Sequence, residues 1–231
     1  ETVTVNRYDD QECSYSWDNT LFWNVYYIKG AFLDADKAFE VLNGMRTMDL
    51  RVLRKCINTK VMARVLDSNP MINVSCNALP SDSNYQLAQS QNTLGLPAPL
   101  FTFNMDSIYG DKLSELVFKQ LFDSLEPAFG LQVSLGQMNS VVLCPALTSH
   151  SELSDEELKE AGISRTTIRL AVGDEDPRIL LEHFIKVCEL TLDKEIPGFS
   201  KQFLSKDKID KLYRKIYLET HEEFINFEPA V

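Results

Sequence analysis

The sequence predicts an α/β chain whose main domain is of the α+β kind, a small and mainly antiparallel sheet with helices on one face. Three observations predict it. Between Met71 and Leu192 the hydrophobic period switches in the order β, β, α, β, short α, β, α. The strand candidates are short and bounded by Gly, Pro, Asn or Asp. Hydrophobic residues make up 44% of 231 positions, enough to fill one core.

The elements follow in chain order. ETVTVNRYDD sets Val3 and Val5 against Thr2 and Thr4, a strand pattern; lacking a leading methionine, it suggests a fragment of a longer chain. Residues 14–33 are rich in aromatics and end at a glycine turn, so a buried connection is expected. From there the period lengthens. Asp34 or Asp36 caps a first helix, a break falls near Met48-Asp49, and a long helix carries Leu50, Leu53, Ile57 and Val61 on one stripe until Asn69-Pro70 stops it. MINVSCNAL reads as a strand, PSDSNYQLAQSQN as a polar loop and PLFTFNM as a second strand. DKLSELVFKQLFDSL predicts a helix with Leu113, Leu116, Val117 and Leu121 inward. LQVSLGQMNSVVLCPAL gives one or two short strands broken at Gly136. Ser154 and Glu157 have capping-box spacing, and Gly162 ends that short helix. TTIRLAVG is the last strand; the following helix has Pro177 in its first turn. A final helix aligns Ile209, Leu212, Tyr213, Ile216 and Tyr217 behind Ser205 as cap.

Charge and composition exclude several functions. With 34 acidic against 23 basic residues the net charge is −11, and no basic run interleaved with aromatics could neutralise a phosphate backbone, so no nucleic-acid partner is expected. Five widely spaced cysteines without a Cys-x-x-Cys pair read as reduced, mostly buried thiols, and no metal site is expected. No apolar stretch approaches the ~20 residues of a membrane helix. A cytoplasmic protein is expected, with the nucleus as the alternative compartment.

No motif is catalytic by itself. The acidic runs at Asp155 to Glu157 and Asp174 to Asp176 fall at helix starts, where the macrodipole favours anions, and His150, His183 and His221 lie in different elements. Arg169 differs. A charged side chain inside a strand costs several kcal/mol if buried unpaired, on the order of 3–5 kcal/mol, so it requires a carboxylate from the protein or from a ligand.

A set of motifs then narrows the choice. Ser134-Leu135-Gly136, Pro145-Ala146, His150, Ser154 to Glu157, Gly162-Ile163 and Ile168 to Asp176 stand in one order. With Gly44, Thr47, Arg51 and Asn58 upstream, this pattern resembles the C-terminal signature of the cystathionine γ-synthase family of pyridoxal-phosphate (PLP) enzymes over roughly Gly30 to Leu192. The resemblance implies the C-terminal part of a fold-type I PLP-dependent transferase. Residues 1–48 would close the large cofactor domain, 49–70 form a connecting helix, 71–192 the C-terminal α+β domain, and 193–231 an extra helical tail beyond the usual family end.

By the same resemblance, Arg169 grips the α-carboxylate of the amino-acid substrate, Ser134 sits near the cofactor-bearing lysine and that carboxylate, and Asn139 lies near the side chain being exchanged. Asn139 stands where the family commonly has glutamate. Residues 15–39 also depart from the usual pattern and the tail after Leu192 extends past the usual family end; these last two features resemble divergent fungal members. The lysine and the other cofactor ligands are expected upstream of this chain, so the chain alone is expected to be inactive. The implied reaction of the intact protein joins an activated homoserine to cysteine, giving cystathionine. Homocysteine synthesis from an O-acylhomoserine and sulfide, or cystathionine lysis, are the alternatives, and a non-catalytic interaction module is the alternative of another class. Expected partners are the amino-acid substrate, the rest of the large domain and, when intact, further copies of the protein.

Overall fold

Strands β1 (Thr2–Asn6) and β2 (Glu12–Ser16) pair antiparallel, Thr2 opposite Ser16, in the computed structural model, which describes residues 2–6, 12–16, 21–30 and 32–227. The chain divides into two compact units, Glu1–Asp49 and Leu50–Val231. In the first, a π-helical turn at Leu21–Tyr27 precedes α1 (Ala35–Met45), whose cap is Asp34, accepting from the Lys37 amide at 2.8 Å. The expected buried connection is corrected where it is described: Trp23 to Gly30 are exposed. Their rings pack against one another, Tyr26 tilted against Phe32 at 4.4 Å and Trp23 edge-on to Tyr27 at 5.2 Å, and they stay exposed. Residues 17–20 and 31 of that stretch lie outside the described residues.

A turn at Arg46-Thr47 separates α1 from α2 (Met48–Asp67), placing the break just before its expected position. Leu53, Ile57 and Val61 are buried as predicted, but Leu50 is 59% exposed, since burial begins only a turn into the helix. Beyond that turn α2 is buried on several sides, including its polar residues Lys55, Asn58 and Thr59, each of which therefore needs a partner. Asn69 ends the segment by accepting from the Met71 amide at 3.1 Å and donating to the Phe199 carbonyl at 3.1 Å.

β3 (Asn73–Ser75) follows, and then α3 (Tyr85–Gln91) where a polar loop was expected. Gln, Leu and Ala favour helix, but only Ala88 of α3 is buried, so no apolar stripe marked it. β4 (Leu100–Asn104) leads to α4 (Glu115–Asp123), capped by Ser114. Here Val117, Phe118, Leu121 and Phe122 turn inward, and Leu116 is 66% exposed, because the aromatic stripe occupies the core side of this helix.

β5 (Gly130–Leu131), β6 (Val141–Leu143), α5 (Asp155–Glu160), β7 (Ile168–Ala171), α6 (Pro177–Leu190) and α7 (Lys206–Ile225) complete the unit. The capping box at Ser154 and Glu157 forms in full; Ser205 is the cap residue of α7 but makes no side-chain cap bond. The sheet order is β3-β4-β7-β6-β5, antiparallel except for β5 with β6. Phe101, Phe103, Val142, Ile168 and Leu170 belong to one core together with Ile57 and Val61 of α2 and with Leu181 and Phe184 of α6. Each such fully buried aliphatic or aromatic side chain contributes about 1.5–3 kcal/mol. The apolar stripe of α7 docks on this core through Ile209 and Ile216, with Leu212, Tyr213 and Tyr217 partly covered. Among the described residues no helix is long and apolar enough to cross a membrane.

Candidate functional site

Alternation along β7 decides where Arg169 points. Ile168 and Leu170 enter the core, so Arg169 emerges on the opposite face of the sheet, between Thr102 of β4 and Leu143 of β6. It is half-buried there. Its Nη2 donates to the Ser134 main-chain oxygen over a long 3.5 Å, and among the described residues it forms no ion pair with a carboxylate. Most of the five donors of its fork stay available.

Ser134 lies in the loop 132–140 between β5 and β6. Gln137 Nε2 donates to its Oγ at 2.8 Å, which leaves the hydroxyl proton to point elsewhere. Lys55, 4% exposed, donates from α2 to the Gly136 carbonyl at 3.1 Å and to that of Gln137 at 2.6 Å. A buried ammonium satisfied by two carbonyls holds the loop from beneath.

The turn after β7 is fastened to the same loop. Glu175 accepts from the Ser140 amide at 2.5 Å and its hydroxyl at 3.0 Å, the Gly173 amide donates to Ser140 Oγ at 2.9 Å, and the Asp174 amide donates to the Met138 carbonyl at 2.9 Å. A β-carbon on Gly173 would collide with the Met138 oxygen, the Asn139 carbonyl carbon and the Glu175 carboxylate, so glycine is required for this close approach. From α2, Asn58 Nδ2 donates to the carbonyls of Gly173 at 3.0 Å and Glu175 at 2.8 Å, and Arg54 to that of Asp174. The other polar side-chain atom of this residue, Asn58 Oδ1, is buried without a hydrogen-bond partner among the described residues.

Of the residues singled out from sequence, Ser134 and Arg169 are brought together, whereas Asn139 is exposed at the far end of the loop and no hydrogen bond joins it to either. The acidic run is divided: Asp176 caps α6, while Glu175 ties two loops together. The guanidinium of Arg178 holds the Asp176 carboxyl below its usual range. Sequence reasoning missed Lys55, Gln137, Ser140 and Glu175. Lys55 and Asn58, next to the apolar stripe of Leu53, Ile57 and Val61 in α2, were the available signal, because a buried Lys or Asn must meet a partner. The histidines remain apart: His183 faces the Ser124 carbonyl at 3.2 Å and His221 that of Tyr217 at 2.8 Å. No cluster of metal-ligating groups occurs among the described residues. Burial raises the thiols of Cys56, Cys76 and Cys144 to about 11, and that of Cys188 well above its usual range. Cys13 lies outside the residues whose side chains are described.

Known proteins share much of this chain. The family model of the Cys/Met metabolism PLP-dependent enzymes matches residues 10–186. The chain is 33% identical over 148 residues to the chloroplastic mimosinase of Mimosa pudica, covering 64% of this chain and 31% of that protein. It is 33% identical over 155 residues to an L-methionine gamma-lyase of Pseudomonas deceptionensis, 67% and 37% of the two chains. Among solved structures, the cystathionine gamma synthase of Xanthomonas oryzae pv. oryzae in complex with cystathionine superposes with a TM-score of 0.58 at 28% identity, over 68% of this chain and 38% of that one. The cystathionine gamma lyase of Micromonospora echinospora gives 0.59 at 28%, over 77% and 45%. The chain thus spans about a third of the length of the curated relatives it matches.

Proposed function

Because the chain belongs to the Cys/Met metabolism family of PLP-dependent enzymes, we propose that it is the substrate-gripping part of a transsulfuration enzyme. The intact protein exchanges the γ-substituent of an activated homoserine for cysteine sulfur, giving cystathionine. The observation that carries this reading is Arg169, a half-buried strand arginine that meets no carboxylate among the described residues, whose planar fork suits the α-carboxylate of an amino acid.

The site residues fit the amino-acid end of such a complex. Arg169 donates bidentately to the carboxylate and fixes the rotation of the α-carbon, the orientation on which bond cleavage depends. Ser134 Oγ, occupied as an acceptor by Gln137, keeps its proton to donate to the same carboxylate. Lys55 and Glu175 hold loop 132–140 and Asn58 holds the turn after β7 to which it is tied, so the clamp is formed before substrate arrives. Pyridoxal phosphate, when bound, supplies the electron sink for the α-carbon. We assign its lysine and phosphate ligands to chain outside these residues, Asn139 to the neighbourhood of the exchanged group, and a homo-oligomer to the intact protein. Residues 1–48 are assigned to the end of the cofactor domain, 49–70 to the connecting helix, 71–192 to the C-terminal domain and 193–231 to its tail.

Asn139 in place of an acidic residue favours a second reading within the family, homocysteine synthesis from an O-acylhomoserine or cystathionine lysis. A non-catalytic module has no use for a strand arginine that meets no carboxylate among the described residues. Incubation of the intact protein with pyridoxal phosphate, an activated homoserine and cysteine tests the choice. Cystathionine is expected; homocysteine from sulfide, or cleavage of cystathionine, would move the assignment to the second reading. A colourless protein that neither takes up the cofactor nor turns over would exclude an enzyme.

A further inference from the structure

A polar cavity of about 310 Å³ opens between α2, the segment around α3 and α7. Lys60 and Arg64 reach it from α2, Glu219 and Glu223 from α7, and Tyr85 and Gln89 from α3. Neither cation forms an ion pair with a carboxylate among the described residues, and Glu219 makes only a 3.8 Å pair with Lys215 of its own helix. Two cations and two carboxylates thus line one cavity without closing on each other. Leu94, which also lines it, holds the left-handed conformation at φ 57°, a residue kept in an unfavourable region beside the opening.

That charge pattern selects a ligand. An anion would meet Glu219 and Glu223, a simple cation would meet Lys60 and Arg64, and a neutral molecule would leave all four to solvent, to which Arg64, Glu219 and Glu223 are exposed. A small zwitterion answers both signs at once. Lys60 is half-buried, and burial pulls its ammonium below the usual range while the charges of Glu223 and Glu219 act against that. Leu94, Ala78 and Ile216 supply a wall for an uncharged side chain.

We propose that this cavity binds a zwitterionic α-amino acid with an uncharged side chain, its carboxylate toward Lys60 and Arg64 and its ammonium toward Glu219 and Glu223. Neither Arg169 nor Ser134 lines it, and two of its four charges come from α7, beyond the 10–186 segment that the family shares. An occupant braces α2, the helix whose Lys55 and Asn58 hold the two site loops.

Calorimetric titration of the intact protein with L-leucine, L-methionine and L-glutamine tests this, performed on the Arg169→Ala variant so that the carboxylate clamp is silent. Saturable binding of at least one is expected. Its methyl ester and its N-acetyl derivative should each bind at least about tenfold more weakly, as should the amino acid itself to Arg169→Ala proteins also carrying Lys60→Met or Glu223→Gln, the loss of one charge-assisted contact. Both added substitutions sit at positions open to solvent on one side, and a native circular dichroism spectrum verifies folding. Absence of saturable binding by all three amino acids, or binding unchanged by Lys60→Met and Glu223→Gln, overturns the assignment.

Discussion

Lys55 and Gln137 are joined by a 2.6 Å hydrogen bond from a buried ammonium to a main-chain carbonyl, linking the middle of α2 to the loop that carries Ser134. The loop is exposed over most of its length, so its conformation rests on this bond, its companion to Gly136, the Asp174 amide's bond to Met138 and the contacts of Ser140. Lys55→Met keeps the aliphatic stem and removes the charge. It should destabilise the chain by about 1.5–3 kcal/mol in urea unfolding. It should also raise the KM for amino-acid substrate in the intact enzyme, and an unchanged KM would show that the loop holds itself.

Arg169→Ala should leave the unfolding free energy within about 0.5 kcal/mol of the parent and raise the KM of the intact enzyme roughly a hundredfold, the equivalent of ~2.7 kcal/mol of lost carboxylate binding. Arg169→Lys should recover only part, because a point charge cannot reproduce the fork. Collapse of stability with unchanged KM would instead mark a structural arginine.

Gly173→Ala places a methyl group against the main chain at Met138 and Asn139, which cannot move without displacing loop 132–140. A cost of about 1–3 kcal/mol is expected by thermal or chemical unfolding. Gly162→Ala, at φ 70° with open space around its β-position, should cost only the backbone penalty, about 1 kcal/mol. Equal costs at the two positions would contradict the close approach.

The thiols of Cys56, Cys76, Cys144 and Cys188 are buried, the first three pushed up to about 11 and the last raised as well, so at about pH 8 they are protonated and shielded. Alkylation followed by mass spectrometry should find all four unmodified in the native protein and modified once it is unfolded. Rapid native labelling at any of them would show that the core opens locally.

The amide and hydroxyl of Ser154 hold the Glu157 carboxyl below its ordinary 4.5. A folded value below the unfolded one means that the capping box is fully stabilising above that range and weakens as pH falls through and below it. Amide-exchange protection of α5, measured from about pH 6 to about pH 3, should fall at the acid end in the parent and stay flat in Glu157→Gln. Ser154→Ala should cost about 1 kcal/mol at neutral pH.

Legibility followed the type of signal. α6, with Pro177 behind Asp176, and the capping box of α5 are readable because each depends on residues within one turn. α3 is not, since a helix with one buried residue has no stripe to read. Spacing alone places Leu116 inward, but the neighbouring Phe118 takes that side because a larger ring buries more surface.

The α+β class, the family motifs and the oddity of a charge at Arg169 are legible along the chain, since all are local or patterned features. What that charge meets follows only from the folded arrangement. Strand alternation turned Arg169 away from the core, and pairing with β4 and β6 set it near Ser134, thirty-five positions away in the chain. Lys55, Asn58 and Glu175 became the supports of the site for the same reason: a buried polar group must find its partner in space, and spacing along a chain does not say where that partner will be.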